Sequence, residues 1–403
     1  MVLFKYVELC LMVLVVYGVT GGKSLGRRKA VPVIFVQGTH YEVGFDVGRT
    51  FSAVIKDYLA TFEGIKIFEK EYKTEAGKNA YDTTLANMKK RYPYYVKEIQ
   101  GVADGAEVPF HQLFLLQMDD LIETVNENHI PRNDTGGCSS MAFKNSQATI
   151  LGHTEDAATE TLNHFYIMSA HIIPAPEDRE HGAVEERFSS LCYAGWLPGY
   201  TMGFNGNGLV FSINTLSPLN LKAGNTPRTF ITRAMLAAKN FSDAERILRD
   251  EGLGIGNGFS VNMIWTNSWG EHHIYNVEVA PDFKNDRSLL NVQRYDREPL
   301  VHCNKYLRAN VTEVKGDIIQ SSLARMKAIQ EYSKPQTRKD VAEMLSDTSG
   351  KDYKVFQEGI APIMTIAAGI FDVDKRSWSI YINSPKSSEP VAVLPITFTS
   401  LDY

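Results

Sequence analysis

Residues 133–143 read NDTGGCSSMAF, so a polar loop with two glycines runs directly into a segment of strand character that begins at Cys138. A thiol attacks as its thiolate, and substrate can approach a cysteine at a junction between a loop and a strand. Gly136 and Gly137 permit backbone turns that other residues resist, as an attack of Cys138 on the Gly137 carbonyl would require. From these residues alone, a buried structural cysteine after a glycine turn remains the alternative.

The segment before this junction is predicted to be mainly helical. Residues Val31–Val36 indicate a short strand that stops at Gly38, and apolar residues recur at helical spacing from Val43 to about Leu116. A further helix is expected over Phe110–Ile122. Residues Asn126–Gly137 carry almost no apolar side chains and predict an exposed loop, which is the clearest boundary in the chain.

After the junction, apolar residues recur at every second position instead of at helical spacing, which indicates strands. The predicted strands are Ser140–Phe143, Ala148–His153, Phe165–Ile173, Arg187–Tyr193, Leu209–Asn214, Ser260–Thr266, His273–Ala280, Ile363–Phe371 and Ser377–Asn383. Two helical segments, Phe230–Asp250 and Ile318–Tyr332, lie among them. Helices first, followed by strands with helices between them, predict an α+β protein with layered packing.

Composition excludes some classes of function. The chain has 403 residues, of which 44% are hydrophobic, so it can bury a substantial core. Its 47 acidic and 42 basic side chains give a net charge of −5, with no block of Lys and Arg that would neutralise a row of phosphates. A nucleic-acid partner is therefore not expected.

The amino terminus has the order of residues that is typical of a secretory signal peptide. An apolar run over Leu9–Val19 follows Lys5 and precedes small residues, but it is too short to span a bilayer. We predict a signal peptide over residues 1–22, although Glu8 weakens the pattern and a disordered extension is the alternative. The protein would then be secreted or in the secretory pathway, and otherwise cytoplasmic; no membrane span is expected.

No cofactor or metal pattern emerges from the remaining residues. Without the leader, three widely spaced cysteines remain, and they form neither a disulfide framework nor a CxxC pair. The glycines of residues 252–258 lack the GxGxxG spacing and follow a helix, which argues against a dinucleotide cradle. A papain-like arrangement, with His153 or His302 as the base for Cys138, stays possible at this point.

Several longer stretches carry a family resemblance. They are GCSS at 137–140, LGHTED at 151–156, LCYAG at 191–195, LPGYTM at 197–202, FSINT at 211–215 and GIFD at 369–372. With them, the chain from about Val33 onward resembles the acyl-coenzyme A:6-aminopenicillanic acid acyltransferase family of N-terminal nucleophile hydrolases. The resemblance implies a four-layer αββα sandwich, in which two antiparallel sheets carry helices on their outer faces.

The resemblance also implies that the precursor cuts itself between Gly137 and Cys138. An α chain of residues 23–137 and a β chain of residues 138–403 would then form one composite domain. The freed α-amino group of Cys138 has a reference pKa near 8. It can therefore take the thiol proton, so that nucleophile and base lie on one residue.

Further site residues are implied by the same resemblance. Asp156 would hydrogen-bond near the new amino terminus, with Glu155 as its exposed neighbour. Asn205 and Asn262 would donate to the developing oxyanion, and Arg325 falls in the region of a Ser-Arg element of the family. Read without the resemblance, Asp156 could be a turn residue, Asn205 part of a hairpin and Arg325 a solvated helix residue.

The activity that the resemblance implies is hydrolysis of an amide that joins β-alanine to an amine. N-β-alanyl-dopamine and carcinine, the histamine conjugate, are the small-molecule substrates it implies, and no metal or organic cofactor is required. Two other functions stay open. An acyl-CoA-dependent N-acyltransferase would use the same thioester, and a non-catalytic secreted relative would keep only the fold.

Overall fold

Two β-sheets lie face to face in the computed structural model, which describes residues 26–123, 137–359 and 362–399. The predicted signal peptide and the predicted loop, apart from Gly137, lie outside the described residues. Within the described ranges, no helix is long and apolar enough to cross a membrane.

The first sheet has eight strands, and all but one neighbouring pair are antiparallel. In spatial order the strands are β1 (Val33–Gly38), β4 (Phe165–Ile172), β5 (Glu186–Tyr193), β6 (Met202–Asn205), β7 (Leu209–Leu216), β8 (Gly258–Thr266), β9 (His272–Pro281) and β10 (Ser288–Tyr295). The exception is the edge pair, in which β1 runs parallel to β4 with Val33 opposite Ile167. A strand that precedes Gly137 in the chain therefore completes a sheet whose other strands all follow Gly137.

The second sheet has six antiparallel strands. In spatial order they are β11 (Leu300–His302), β2 (Ser139–Lys144), β3 (Thr149–Ala158), β12 (Ile363–Asp372), β13 (Ser377–Tyr381) and β14 (Ala392–Pro395). Cys138 directly precedes β2, which lies between β11 and β3 and faces β7, β8 and β9 of the first sheet. The junction between Gly137 and Cys138 therefore lies between the two sheets.

Helices cover the outer faces of both sheets. They are α1 (His40–Thr50), α2 (Ser52–Thr61), α3 (Glu63–Tyr72), α4 (Glu75–Arg91), α5 (Pro93–Ala106), α6 (Phe110–Met118), α7 (Asp120–Glu123), α8 (Pro176–Glu180), α9 (Arg228–Met235), α10 (Phe241–Arg249), α11 (Asp317–Gln330) and α12 (Arg338–Leu345). The apolar faces of α1, α5, α6 and α9 share one large core with the first sheet. A second core packs α11 and α12 against the second sheet. The predicted α+β class and αββα layering are confirmed.

Three predicted elements differ from the structure. The single helix predicted over Phe110–Ile122 is two helices, α6 and α7, with a break at Asp119, whose φ angle is +48°. The single helical segment predicted over Phe230–Asp250 is two helices, because Asn240 caps a new helix by accepting from the backbone N–H of Asp243 over 2.9 Å. The strand predicted to end at His153 continues to Ala158, because it pairs with β12 along its whole length. This extension matters for the site, since it places Glu155 and Asp156 inside a sheet.

Candidate active site

Cys138 is a buried, free thiol at the entry to β2. Its Sγ donates to a carboxylate oxygen of Glu155, 3.6 Å away. Burial raises the pKa of this thiol well above its ordinary value, and the charges of Glu155 and Asp156 add to the increase. A backbone hydrogen bond from Asp156 and the charge of Arg325 oppose that increase only in part. In the uncut chain the thiol is therefore neutral and needs a base.

Gly137 has a backbone conformation and surroundings that exclude any side chain. Its φ angle is +152°, which L residues rarely adopt. A Cβ atom here would lie 2.1 Å from Oδ1 and 2.5 Å from Cγ of Asn304. Because Asn304 is fully buried, it has little room to move away. A glycine is therefore required immediately before the candidate nucleophile, because a side chain would clash with Asn304 and the φ angle disfavours other residues.

Arg325 is fully buried on α11 and reaches the backbone on both sides of the Gly137–Cys138 bond. Its Nη1 donates to the carbonyl oxygens of Gly137 and Cys138, each over 2.8 Å. Its Nη2 donates to Asn304 Oδ1 over 2.8 Å, and its Nε to Ser321 Oγ over 3.1 Å. These contacts hold the guanidinium against the carbonyl that a self-cleavage reaction would attack. Arg325 is therefore not a solvated helix residue.

Asn262 reaches the junction through a second asparagine that the sequence analysis did not single out. Nδ2 of Asn214 donates to the carbonyl oxygen of Cys138 over 2.8 Å. Asn262 holds that amide in place, because its own Nδ2 donates to Asn214 Oδ1 over 2.7 Å. Ser140 Oγ also donates to Asn214 Oδ1, over 3.1 Å. Asn214 lies in the FSINT stretch, so the family motif was the signal that could have identified it.

Asn205 is placed with a different set of partners. Its Nδ2 donates to the backbone oxygens of Leu236 and Ala238, over 3.2 and 2.8 Å. Its Oδ1 accepts from the backbone N–H groups of Asn207 and Leu209. Every polar atom of this side chain is thus used to join the β6–β7 turn to the segment after α9. The structure does not bring Asn205 together with Cys138, Asn262 and Arg325.

Asp156 is buried in β3 with one oxygen satisfied and one available. Its Oδ1 accepts from Thr365 Oγ1 over 2.5 Å, while Oδ2 has no hydrogen-bond partner among the described residues. Burial raises its pKa to about 7, although Arg325 and the Thr365 hydroxyl oppose the increase. A carboxylate oxygen without a partner near Cys138 is suited to accept from an amine formed there.

Glu155 was expected to be exposed, and this prediction is wrong. The extension of β3 buries its side chain to 4% exposure between the two sheets. Besides the Cys138 thiol, its carboxylate accepts from the hydroxyl of Tyr193 and lies 2.9 Å from Nε2 of His153. His153 in turn bonds through Nδ1 to Ser140 Oγ over 2.8 Å. A buried carboxylate therefore contacts the candidate nucleophile directly.

The two histidines that were considered as a papain-like base have other partners. The ring nitrogens of His302 lie 2.6 Å from the Cys303 carbonyl oxygen and 3.0 Å from Glu278. The ring nitrogens of His153 face Ser140 and Glu155, so that Glu155 stands between the imidazole and the thiol. Neither arrangement is the direct pair of thiol and imidazole that this alternative needs.

One group of potential metal ligands is present among the described residues. The donor atoms of Cys138, His153 and Glu155 all lie within 4.8 Å of one another, and all three side chains are buried. Sulfur, imidazole nitrogen and carboxylate oxygen together suit Zn²⁺. A metal ion bound here would occupy the sulfur of the candidate nucleophile.

Comparison with known proteins agrees with the family resemblance. Residues 143–387 match the family described as acyl-coenzyme A:6-aminopenicillanic acid acyl-transferase. The chain is 44% identical over 388 residues to the beta-alanyl-dopamine/carcinine hydrolase of Drosophila melanogaster, covering 94% of this chain and all of that protein. Penicillin V acylase from Agrobacterium tumefaciens aligns at 12% identity and a TM-score of 0.36, over 64% of this chain and 84% of that one. The predicted family is confirmed: the chain belongs to the acyl-coenzyme A:6-aminopenicillanic acid acyl-transferase family.

Proposed function

We propose that this protein is a self-processing cysteine amidohydrolase that cleaves β-alanyl amides of biogenic amines. The substrates would be N-β-alanyl-dopamine and carcinine, since the Drosophila relative is named for both. The observation that carries the proposal is the position of Arg325, which donates to the carbonyl oxygen of Gly137 beside the Cys138 thiol. That arrangement is suited to cleavage of the bond between these two residues.

Self-cleavage would begin with attack of the Cys138 sulfur on the Gly137 carbonyl carbon. The carbonyl oxygen takes up negative charge, and the guanidinium of Arg325 is already placed to stabilise it. Collapse of the intermediate breaks the C–N bond, and the thiol proton ends on the departing nitrogen, which leaves a thioester on sulfur and a free α-amino group on Cys138. Water then hydrolyses the thioester, so that Gly137 ends in a carboxylate and the thiol is released.

Turnover would use the same sulfur with a new base. The freed α-amino group takes the thiol proton, and the unpartnered oxygen of Asp156 accepts a hydrogen bond from that amine. The thiolate attacks the substrate carbonyl, the amine product leaves with the proton, and the β-alanyl group remains as a thioester. Water then releases β-alanine. The side-chain amide of Asn214, which Asn262 holds in place, donates to the backbone carbonyl oxygen of Cys138 and so fixes the position of the nucleophile.

An acyltransferase is the second candidate, because the matching family is named for that reaction. The same thioester would be intercepted by an amine instead of water. The two functions differ in what releases the acyl group, so an assay for free β-alanine without coenzyme A separates them.

The decisive experiment combines mass spectrometry with that assay. Purified protein should consist of two fragments, the second of which begins at Cys138, and Cys138→Ala should remain one uncut chain because alanine has no attacking sulfur. The cut enzyme should release β-alanine from both amides. Normal cutting of Cys138→Ala would refute self-processing. Transfer of an acyl group from coenzyme A, with neither amide cut, would favour the acyltransferase.

We also propose that residues 1–22 direct the chain into the secretory pathway. Asn133, Asn240 and Asn310 begin Asn-x-Ser/Thr sites. Asn133 lies outside the described residues, and Asn240 and Asn310 are exposed and so accessible for glycosylation. Protein recovered outside the cell should begin after about Gly22. Recovery only from cytosol, with the leader intact, would exclude this assignment.

A further inference from the structure

Glu155 presents an electrostatic problem for a thiol enzyme. Its carboxylate lies 3.6 Å from the Cys138 sulfur, in a site from which water is largely excluded. A negative charge at this distance opposes formation of the thiolate that must attack. Among the described residues, His153 is the one basic side chain within ion-pair distance of Glu155. In the processed enzyme the α-ammonium of Cys138 and the charge of Arg325 would favour the thiolate, and a cation bound by Glu155 itself would remove the remaining repulsion.

The substrate itself would carry such a charge. A β-alanyl group ends in an ammonium that is separated from the reacting carbonyl by two methylenes. Ordinary bond lengths place its nitrogen about 4 Å from the carbonyl carbon. With that carbon against the Cys138 sulfur, the nitrogen can lie within hydrogen-bond reach of a carboxylate oxygen 3.6 Å from the sulfur. The distance from the sulfur to the carboxylate therefore suits the distance from the carbonyl carbon to the ammonium in a β-alanyl group. An acyl group without an amine would leave the carboxylate without this partner.

The surroundings of Glu155 also suit a cation. Tyr193 donates its hydroxyl to the carboxylate and packs its ring edge-on against Trp196 and Tyr200, with centroids 5.9 Å away in both pairs. Oε1 of Glu155 accepts from Cys138 and Tyr193, and Oε2 contacts His153, so one acceptor position remains on Oε2. The thiol vacates a second position, on Oε1, when it gives up its proton.

We propose that Glu155 is the specificity-determining residue that binds the ammonium of the β-alanyl group and so selects β-alanyl amides over amides of uncharged acids. This inference rests on the proposed function. Its consequence is that substrate binding neutralises the charge beside the thiol, so the ammonium should raise kcat as well as lower KM.

The test compares three dopamine amides on the processed enzyme. They are the β-alanyl amide, the propionyl amide, which has nearly the same shape without the ammonium, and the γ-aminobutyryl amide, whose ammonium reaches one methylene further. The wild-type enzyme should strongly prefer the β-alanyl amide. If it cuts β-alanyl and propionyl amides equally, the inference fails while the proposed function stands. If it cuts neither, the proposed function fails first.

Two variants assign the preference to Glu155. Glu155→Gln keeps the size and removes the charge, so the β-alanyl to propionyl ratio of kcat/KM should fall about 100-fold. Glu155→Asp keeps the charge but withdraws it by one methylene, so the preference should move toward the γ-aminobutyryl amide. This second variant decides the matter if Glu155→Gln is not processed. His153→Gln is the matched control, because it alters a partner of Glu155 but retains the carboxylate and should retain the preference.

Three results would overturn the inference. An equal fall of both amides in Glu155→Gln would show a general structural role, and an unchanged ratio would show no role in selection. The same acyl preference in Glu155→Asp as in the wild type would contradict the assigned reach of the carboxylate.

Discussion

Arg325 Nη1 donates to the carbonyl oxygen of Gly137 over 2.8 Å, across 188 positions of sequence. The arginine is fully buried on a helix outside the second sheet, so the side chain spans from the outer layer to the start of β2. A buried guanidinium on a backbone carbonyl is costly unless its remaining donors are satisfied. Ser139, Ser321 and Asn304 satisfy them here.

Replacing Arg325 tests its part in self-cleavage. Arg325→Lys keeps the charge but loses the planar fork that contacts several acceptors, so cutting should slow about 100-fold or more. The measurement is the time course of fragment formation in freshly purified or newly synthesised protein. Lys327→Ala, on the same helix but exposed, is the control and should cut normally. Unchanged cutting in Arg325→Lys would contradict the assigned contact.

Gly137→Ala should not yield cut enzyme. The new Cβ would meet the buried side chain of Asn304 at 2.1 Å, and the φ angle of +152° is strained for alanine. Gly26→Ala, at an exposed position with open space and no positive φ angle, is the control and should cut normally. Wild-type cutting of Gly137→Ala would show that this geometry is not required.

Asp156 should make the uncut precursor less stable as the pH rises. The carboxyl ionises near 3.8 in the unfolded chain but near 7 in the folded one, so the folded state holds a proton that the unfolded state loses. The free energy of unfolding should therefore lose this contribution from about pH 4 to about pH 7. In Cys138→Ala protein, adding Asp156→Asn should stabilise increasingly over that window. Urea unfolding measures the difference, with exposed Asp352→Asn as control; a pH-independent difference would contradict the shift.

Asn205 and Asn214, which both lie in the first sheet, should respond differently to replacement by alanine. Asn205→Ala removes four hydrogen bonds to buried or half-buried backbone groups, so it should lower the free energy of unfolding by about 3 kcal/mol. Asn214→Ala removes the donor to Cys138, so it should reduce kcat about 100-fold. Urea unfolding and amide hydrolysis are measured on both variants. A larger loss of kcat in Asn205→Ala at unchanged stability would restore the oxyanion role predicted for Asn205 from the sequence.

Zn²⁺ should inhibit the enzyme reversibly. The donor atoms of Cys138, His153 and Glu155 lie within 4.8 Å of one another, and a bound ion would hold the sulfur as its ligand. Activity should return on addition of a chelator, and His153→Gln should be less sensitive. Mg²⁺, which prefers oxygen ligands, is the control ion. Inhibition of equal strength in His153→Gln would place the zinc elsewhere.

The sequence predicted the elements of the site better than their surroundings. The strand after Cys138 and the α+β class follow from local pattern and family motif. Glu155 was missed because acidic side chains are rarely buried and its strand pairing with β12 is not a local property. Asn304, which shapes the junction, comes from a segment remote in sequence. Only the assembled sheets bring these residues together.

The split of one predicted helix has a similar explanation. Apolar periodicity continues through Phe230–Asp250, but the cap formed by Asn240 begins a separate helix. A side-chain cap depends on one residue, which can interrupt a helix locally. The apolar periodicity is averaged over many residues and therefore does not detect such an interruption.

The parallel pairing of β1 with β4 gives the proposed cut a consequence for refolding. β1 belongs to the segment before Gly137 and β4 to the segment after it, so both segments complete one sheet. Arg27 further ties the first segment to the second sheet by donating to the carbonyl oxygens of Thr365 and Ile382. The uncut chain assembles this arrangement intramolecularly, whereas two separated fragments must first meet in solution. Recovery of the denatured mature enzyme would then depend on protein concentration, and its lifetime on how slowly it comes apart.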